Sequence, residues 1–333
     1  MKLTVLGPGC WGLTLAWLLN DNFDDITVWG RESDLNDDLI TNKHCSKPLE
    51  VQLDKRVSIT SDLKSAISGA DIILTVIATS GMRSVCEQLK SAGINPSTPL
   101  VNASKGLELN SLMRMSEVIK DVLPKQKVVI LSGPTLAKEV LQGKPTAACV
   151  ACEDMDTAEY VQKLLNVPSR FRLYANNDVI GVELGGSLKN VIAIASGFAH
   201  EMNLGDNCAG SLLTRGMAEI VRLSIQLGAN PSTLYGLSGM GDLIATCSSP
   251  MSRNYTVGSM LGKGKKIDDI LKELGSVAEG VKTSKAVCDL AKKLDIEVPV
   301  SSAIYEAVYT DITPQEVLSK LMNRKLKKEE KYV

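Results

Sequence analysis

The feature that most constrains this chain is the run Gly7-Pro8-Gly9-Cys10-Trp11-Gly12, which follows the apolar segment Leu3 to Leu6 and opens a stretch of helical composition. Between a strand and a helix, a GxGxxG spacing has a physical meaning. Gly7 permits a tight turn, Gly9 lets the backbone approach a pyrophosphate, and Gly12 allows the helix to pack closely on the strand. Amide groups at the start of the new helix then face the phosphates. The run predicts a dinucleotide-binding turn at the head of an α/β sheet.

About twenty residues past such glycines an acidic side chain usually meets the ribose hydroxyls. Here that place reads Trp29-Gly30-Arg31, with Glu32 next. Arg31 suits a 2′-phosphate and Glu32 still suits a ribose, so NADP and NAD both stay open, with NADP favoured. An arginine after a strand is also a common surface outcome.

A chain of 333 residues exceeds what one core normally serves, so two domains and a cleft are expected. Short apolar runs at Leu3 to Leu6, Ile26 to Trp29, Asp71 to Ala78, Leu100 to Ala103, Lys127 to Leu131, Ala147 to Ala151 and Phe171 to Tyr174 alternate with helical segments. That alternation predicts a mostly parallel, doubly wound Rossmann-like sheet over residues 1–178. From 179 to 333 the pattern becomes helical. Leu184, Leu188, Val191, Ile192 and Ala195 fall on one stripe, and further helices are expected at Ala209 to Leu227, Asn254 to Leu261, Gly280 to Leu294 and Pro314 to Leu321. The fold class is therefore α/β with an all-α C-terminal domain.

The formal net charge of −1 leaves no global field to hold nucleic acid or an anionic membrane. The N-terminal residues lack the plan of a signal peptide, and no uninterrupted apolar run reaches the roughly 18 residues of a bilayer span. Eight irregularly spaced cysteines fit a reduced, cytoplasmic setting better than a disulfide framework. Cys149-Val150-Ala151-Cys152 forms a CxxC inside an apolar strand with no second pair to complete a metal site. His44 and His200 are the only histidines, which argues against a histidine relay, and no metal is expected.

Several further segments carry a resemblance. They are Ser104-Lys105-Gly106-Leu107-Glu108, Leu131-Ser132-Gly133-Pro134-Thr135-Leu136-Ala137-Lys138-Glu139-Val140 and Asp178-Val179-Ile180-Gly181-Val182-Glu183-Leu184-Gly185-Gly186. Leu188-Lys189-Asn190-Val191-Ile192-Ala193, Gly239-Met240-Gly241-Asp242-Leu243, Ser252-Arg253-Asn254 and Val277-Ala278-Glu279-Gly280 come after them in the same order. Together they resemble the bacterial-type glycerol-3-phosphate dehydrogenase family, from the first strand to near residue 310. The resemblance implies reversible hydride transfer between NADH or NADPH and dihydroxyacetone phosphate, feeding glycerol 3-phosphate into phospholipid synthesis. It implies that Lys189 gives and takes the proton, and that Lys105, Gly133, Thr135, Asp242, Ser252, Arg253 and Asn254 contact substrate. Cys10, Trp11, Arg31, Lys105, Ala137, Arg253, Val277 and Glu279 would contact cofactor. The chain departs from the family's pattern at Pro8, at Cys10, and in an abbreviated segment from Asn42 to Pro48.

The chemistry agrees with those residue types. Hydride reduction of a ketone leaves negative charge on oxygen, which a positioned donor must neutralise. Lys189, at the edge of an apolar stripe, can be that donor or can simply snorkel. Gly185-Gly186 suggest close backbone approach by another helix or by substrate. Asp242 either caps a helix or holds Lys189 charged. Arg253, between Ser252 and Asn254 at a helix start, suits a phosphate dianion. Asn190 faces away from Lys189 and is secondary. A 3-hydroxyacid or 6-phosphogluconate type dehydrogenase is the enzymatic alternative, and a non-catalytic NADP-binding redox reporter the other. A twofold oligomer is expected only from the general frequency of homodimers.

Overall fold

The structure, a computed structural model, describes residues 1–275, 278–326 and 328. Strands β1 (Lys2–Leu6), β2 (Asp25–Trp29), β3 (His44–Cys45), β4 (Val51–Gln52), β5 (Ser58–Thr60), β6 (Ile72–Thr75), β7 (Leu100–Asn102), β8 (Val128–Ser132), β9 (Thr146–Ala151) and β10 (Phe171–Asn176) alternate with helices α1 (Cys10–Leu18), α2 (Leu63–Ile67), α3 (Met82–Ala92), α4 (Met115–Val122), α5 (Ala137–Leu141) and α6 (Met155–Leu165). The main sheet has the order β10-β9-β8-β7-β6-β1-β2-β5 and is parallel except where β8 meets β9. Its central strands are apolar on both faces, as strands covered by helices on each side must be. Leu3, Val5 and Leu6 are fully buried, and the equally buried Thr4 donates its hydroxyl to the Ala66 carbonyl at 2.7 Å.

β1 lies between β2 and β6, so the strand order reverses beside it. Ligands of open α/β sheets bind beyond the carboxyl ends of strands at such a reversal. The run expected to continue from Asp71 to Ala78 stops at Thr75, where the Val76 carbonyl is pressed against the Gly7 turn. The short edge strand β5 and the β3–β4 hairpin lacked an apolar alternation that could announce them. In the hairpin the His44 ring is tied to Asp38 at 2.7 Å.

The chain forms two compact units, one of Met1–Ser104 with Met113–Val179, the other of Lys105–Leu112 with residues from Ile180 onward. The second consists of α7 (Val179–Glu201), α8 (Gly205–Gln226), α9 (Pro231–Leu234), α10 (Asp242–Cys247), α11 (Arg253–Gly262), α12 (Ile267–Leu274), α13 (Glu279–Leu294), α14 (Pro299–Tyr309) and α15 (Pro314–Met322). The single stripe expected on α7 is corrected. Every residue from 181 to 199 is buried, because neighbouring elements pack on it from several sides. Such a helix is apolar all round. Its length and composition would suit a bilayer, yet 94% of its apolar window is buried inside the protein.

Small residues set how closely those neighbours come. A Cβ on Gly258 of α11 would stand 1.8 Å from the Ile194 carbonyl oxygen of α7, and one on Gly197 would stand 1.9 Å from the Tyr255 oxygen. The two backbones therefore touch, and no side-chain rearrangement can relieve an added methyl. Gly258→Ala is expected to cost at least about 1–3 kcal/mol, read as a fall of several degrees in the thermal unfolding midpoint.

Candidate active site

The glycine turn shows what each of its residues is for. Gly7 holds φ +112°, and a Cβ there would lie 2.5 Å from the Val76 carbonyl oxygen. A Cβ on Gly12 would lie 2.0 Å from the Gly7 oxygen, so the protein's own chain requires these two. Gly9 is different. A Cβ there meets nothing within 4 Å. It stands at the N-cap of α1, whose first amide groups have no partner in a preceding turn of helix. A backbone bare on its open side beside the amides of a helix start is a cradle for a pyrophosphate, and these residues fit one. Cys10 is the first residue of α1, while Trp11 turns its ring edge-on to Phe171 at 6.4 Å. Pro8 presses on Gly30, where a Cβ would come within 2.7 Å of the proline ring. Arg31, just beyond, is paired with Asp34 at 2.7 Å.

In the same unit, β8 ends at Ser132 and the chain turns through Gly133 at φ +154°. A Cβ on Gly133 would lie 2.8 Å from the Ala148 Cα of the neighbouring strand. Thr135 donates its hydroxyl to the Gly133 carbonyl at 3.2 Å, and Ala137 begins α5. The Ser132 hydroxyl is buried without a partner among the described residues.

The second unit holds a charge cluster. Lys189 Nζ lies 2.9 Å from Asp242 Oδ1, and Lys105 Nζ lies 2.6 Å from Asp242 Oδ2. The side chains of Lys189 and Asp242 are only 7% and 2% exposed, and that of Lys105 is 18% exposed. One anion is thus shared by two cations in a place nearly shut off from water. Burial alone would raise the Asp242 carboxyl, but Lys105 and then Lys189 hold it below the usual carboxylate range. Burial lowers the Lys105 ammonium to about 8, Lys189 pushes the same way, and Asp242 opposes both. Perturbed titration of this kind gathers at functional sites, and it also arises in structural ion-pair networks.

Packing explains how the cluster is assembled. A Cβ on Gly185 of α7 would lie 2.8 Å from the Ser238 carbonyl oxygen and 3.0 Å from the Gly239 Cα. The π turn Leu237–Gly241 therefore lies directly on α7, and Asp242, the next residue, arrives one helical turn along, beside Lys189. Gly185 serves a neighbouring chain segment. Lys105 reaches the cluster because its segment is pinned: the Gly106 amide donates to Ser187 Oγ at 2.8 Å, and Leu107 is buried in the helical core.

At the start of α11, Ser252 is the N-cap and accepts from the Tyr255 amide, and Arg253 occupies the first helical position, exposed. Asn254 donates to Asn190 Oδ1 at 2.9 Å and accepts from the Gly280 amide at 3.0 Å. It thereby joins α7, α11 and α13 next to Lys189. Glu279 begins α13. Val277 lies outside the described residues. Of the expected site residues, the structure joins Lys105, Lys189 and Asp242 directly and links Asn254 to the residue after Lys189. Gly133, Thr135, Ala137 and the glycine turn belong to the other unit.

Two contributors went unnoticed in the sequence. Thr246, buried one turn after Asp242, accepts from Lys189 Nζ and donates to Asp242 Oδ1 at 3.1 Å. The i,i+4 spacing from Asp242 on a helix was its only signal. Ser187 left none, since its task is to hold a backbone amide 81 residues away in sequence. Among the described residues no cluster of His, Cys, Asp and Glu could hold a metal ion.

Residues 2–158 match the NAD-dependent glycerol-3-phosphate dehydrogenase N-terminus family, and residues 178–319 match the corresponding C-terminus family. A protein of Listeria monocytogenes serotype 4b named glycerol-3-phosphate dehydrogenase (NAD(P)+) is 44% identical, over 98% of this chain and 97% of its own length. A Thermoanaerobacter protein of the same name is 42% identical over 99% of both. The crystal structure of the Coxiella burnetii glycerol-3-phosphate dehydrogenase superposes with a TM-score of 0.92 at 32% identity, covering 97% of this chain and 99% of that one.

Neutralising Asp242 tests the cluster without reference to any ligand. Removing one partner of a buried ion pair strands the other charge. Asp242→Asn is expected to lose about 3–5 kcal/mol at pH 7, read as a lower urea midpoint. Without Asp242 to oppose its burial, the Lys105 ammonium gives up its proton still more readily folded than unfolded, so the deficit should narrow as the pH rises above neutrality.

Proposed function

Because this chain belongs to the NAD-dependent glycerol-3-phosphate dehydrogenase family, we propose that it interconverts dihydroxyacetone phosphate and sn-glycerol 3-phosphate, with NADH or NADPH as hydride donor. Its product is then the glycerol backbone for phospholipid synthesis, made in the cytoplasm. The observation that carries the reading is the buried Lys105–Asp242–Lys189 cluster.

When bound, the nicotinamide delivers a hydride to the C2 carbonyl or takes one from the C2 alcohol. The proton and the charge remain for the protein to handle. Lys189 has three N–H groups, and Asp242 and Thr246 take two of them. The third is the one we assign to the carbonyl oxygen. As charge grows on that oxygen, Lys189 first stabilises it and then gives it a proton; in the reverse direction it removes the proton from the hydroxyl. Asp242 and Thr246 hold the Lys189 amine in a fixed position by hydrogen bonds at two of its N–H groups. Lys105 adds a second positive charge near the reacting oxygen, where low dielectric makes it count for more than in water.

For the phosphate we assign Ser252, Arg253 and Asn254. Arg253 brings a planar, bidentate donor to the amide end of a ten-residue helix, a combination suited to a dianion. Gly133 and Thr135 are assigned to the substrate as well. Gly7, Gly9, Cys10, Trp11, Gly12, Arg31, Lys105, Ala137, Arg253, Val277 and Glu279 are assigned to the dinucleotide, and the working assembly to a homodimer. The non-catalytic reporter draws no support from a cluster that keeps both its amine and its carboxylate, whereas a 3-hydroxyacid or 6-phosphogluconate type dehydrogenase would also place a lysine early in the helical unit and is separated by its substrate.

Purified protein is expected to oxidise NADH or NADPH when dihydroxyacetone phosphate is added, followed by loss of absorbance at the reduced nicotinamide band. Turnover confined to 3-hydroxyacid or 6-phosphogluconate substrates would sink the reading. Lys189→Ala should lower kcat by at least about a hundredfold while leaving dinucleotide affinity in place. The Lys105 ammonium is present below about 8 and is lost as the pH climbs through that value. The KM for dihydroxyacetone phosphate should therefore rise on the alkaline side, and Lys105→Arg, which stays charged, should flatten that limb.

A further inference from the structure

The arginine after β2 is not held as a lone cation. Arg31 donates its backbone amide to Asp34 Oδ2 at 3.2 Å, its Nε to the same oxygen at 2.7 Å, and its Nη2 to Oδ1 at 2.7 Å. This is a planar, two-point pair in which one edge of the guanidinium is fully used. The Asp34 side chain is only 30% exposed, whereas that of Arg31 is 69% exposed. Glu32 stands exposed between them in sequence, so the turn carries one cation against two anions.

The turn is also fixed against the cofactor loop. Gly30 lies on the Pro8 ring and on Leu35 Cδ2, with no room for a Cβ, and the Gly7 amide donates to the Trp29 carbonyl at 2.8 Å. The segment after β2 therefore keeps a set position relative to the glycines, at the place where a dinucleotide's adenosine ribose is read in such folds.

We propose that Asp34 is a specificity-determining residue of the dinucleotide site: by holding the Arg31 guanidinium it withholds that cation from a 2′-phosphate and sets the preference toward NAD(H) over NADP(H). A phosphate dianion approaching this turn meets a neutralised arginine and a surplus carboxylate. A ribose hydroxyl meets an acceptor. Arg31 read alone points to NADP, and its carboxylate partner reverses that reading. The inference rests on the assignment of the glycine loop to a nicotinamide dinucleotide and not on the identity of the substrate.

Binding of NADH and NADPH to the full chain without substrate, measured by isothermal titration calorimetry, tests it. The native protein is expected to bind NADH more tightly than NADPH. Asp34→Asn should tighten NADPH by about tenfold and shift NADH by less than about twofold. Adding Arg31→Ala to Asp34→Asn should erase the gain, since the freed guanidinium is what the phosphate uses. An unchanged NADPH Kd in Asp34→Asn overturns the inference, as does a gain that survives the loss of Arg31 or a native preference for NADPH. Failure of both nucleotides to bind would instead overturn the dinucleotide assignment beneath it, and inactivity toward dihydroxyacetone phosphate would leave the inference standing.

Discussion

A carboxylate shared by two ammonium groups, almost out of reach of water, is the constraint around which the helical unit is organised. Desolvating three charges is costly, and the cost is tolerable only when each finds partners at hydrogen-bond distance. Asp242 gives one oxygen to Lys105 and one to Lys189, and Thr246 closes the triangle. Two ammonium groups against one carboxylate give the trio a net positive charge. Under the proposed function, that surplus would meet an oxygen that becomes negative during reaction with complementary charge already oriented.

Holding such a cluster in register requires backbone contacts of unusual closeness. Gly185 lets the turn before Asp242 lie on α7, and Gly197 with Gly258 lets α11 do so further along. Asn254 then ties α11 to Asn190 and to the Gly280 amide. The glycines that look like weak points in a helix are the points of tightest packing. Their loss in helix propensity is offset by contacts that no larger residue permits.

Much of this was legible from residues alone. The glycine turn, the mostly parallel sheet and the pairing of Asp242 with Lys189 came from local spacing, from residue chemistry and from ordered motifs shared with one family. α7 was misread because its apolar residues were fitted to one stripe. A helix surrounded by others has no solvent face, and periodicity then carries no direction. Ser187 and Asp34 were missed for a different reason. Each acts on a neighbour brought close by the fold, Ser187 on the Gly106 amide and Asp34 on the Arg31 guanidinium, and a single letter does not announce its partner. The edge strand β5 was too short and too polar to register.

The excursion of Lys105–Leu112 has a consequence for how the protein can be taken apart. The chain leaves the sheet unit after Ser104, places Leu107 in the helical core, and returns at Met113. No single scission separates the units cleanly. A fragment ending near Val179 would carry a stranded apolar loop, and the complementary fragment would lack Lys105, leaving Asp242 with half its counter-charge. The helical unit is finished only when a segment from the middle of the sheet unit's stretch of chain has been delivered to it.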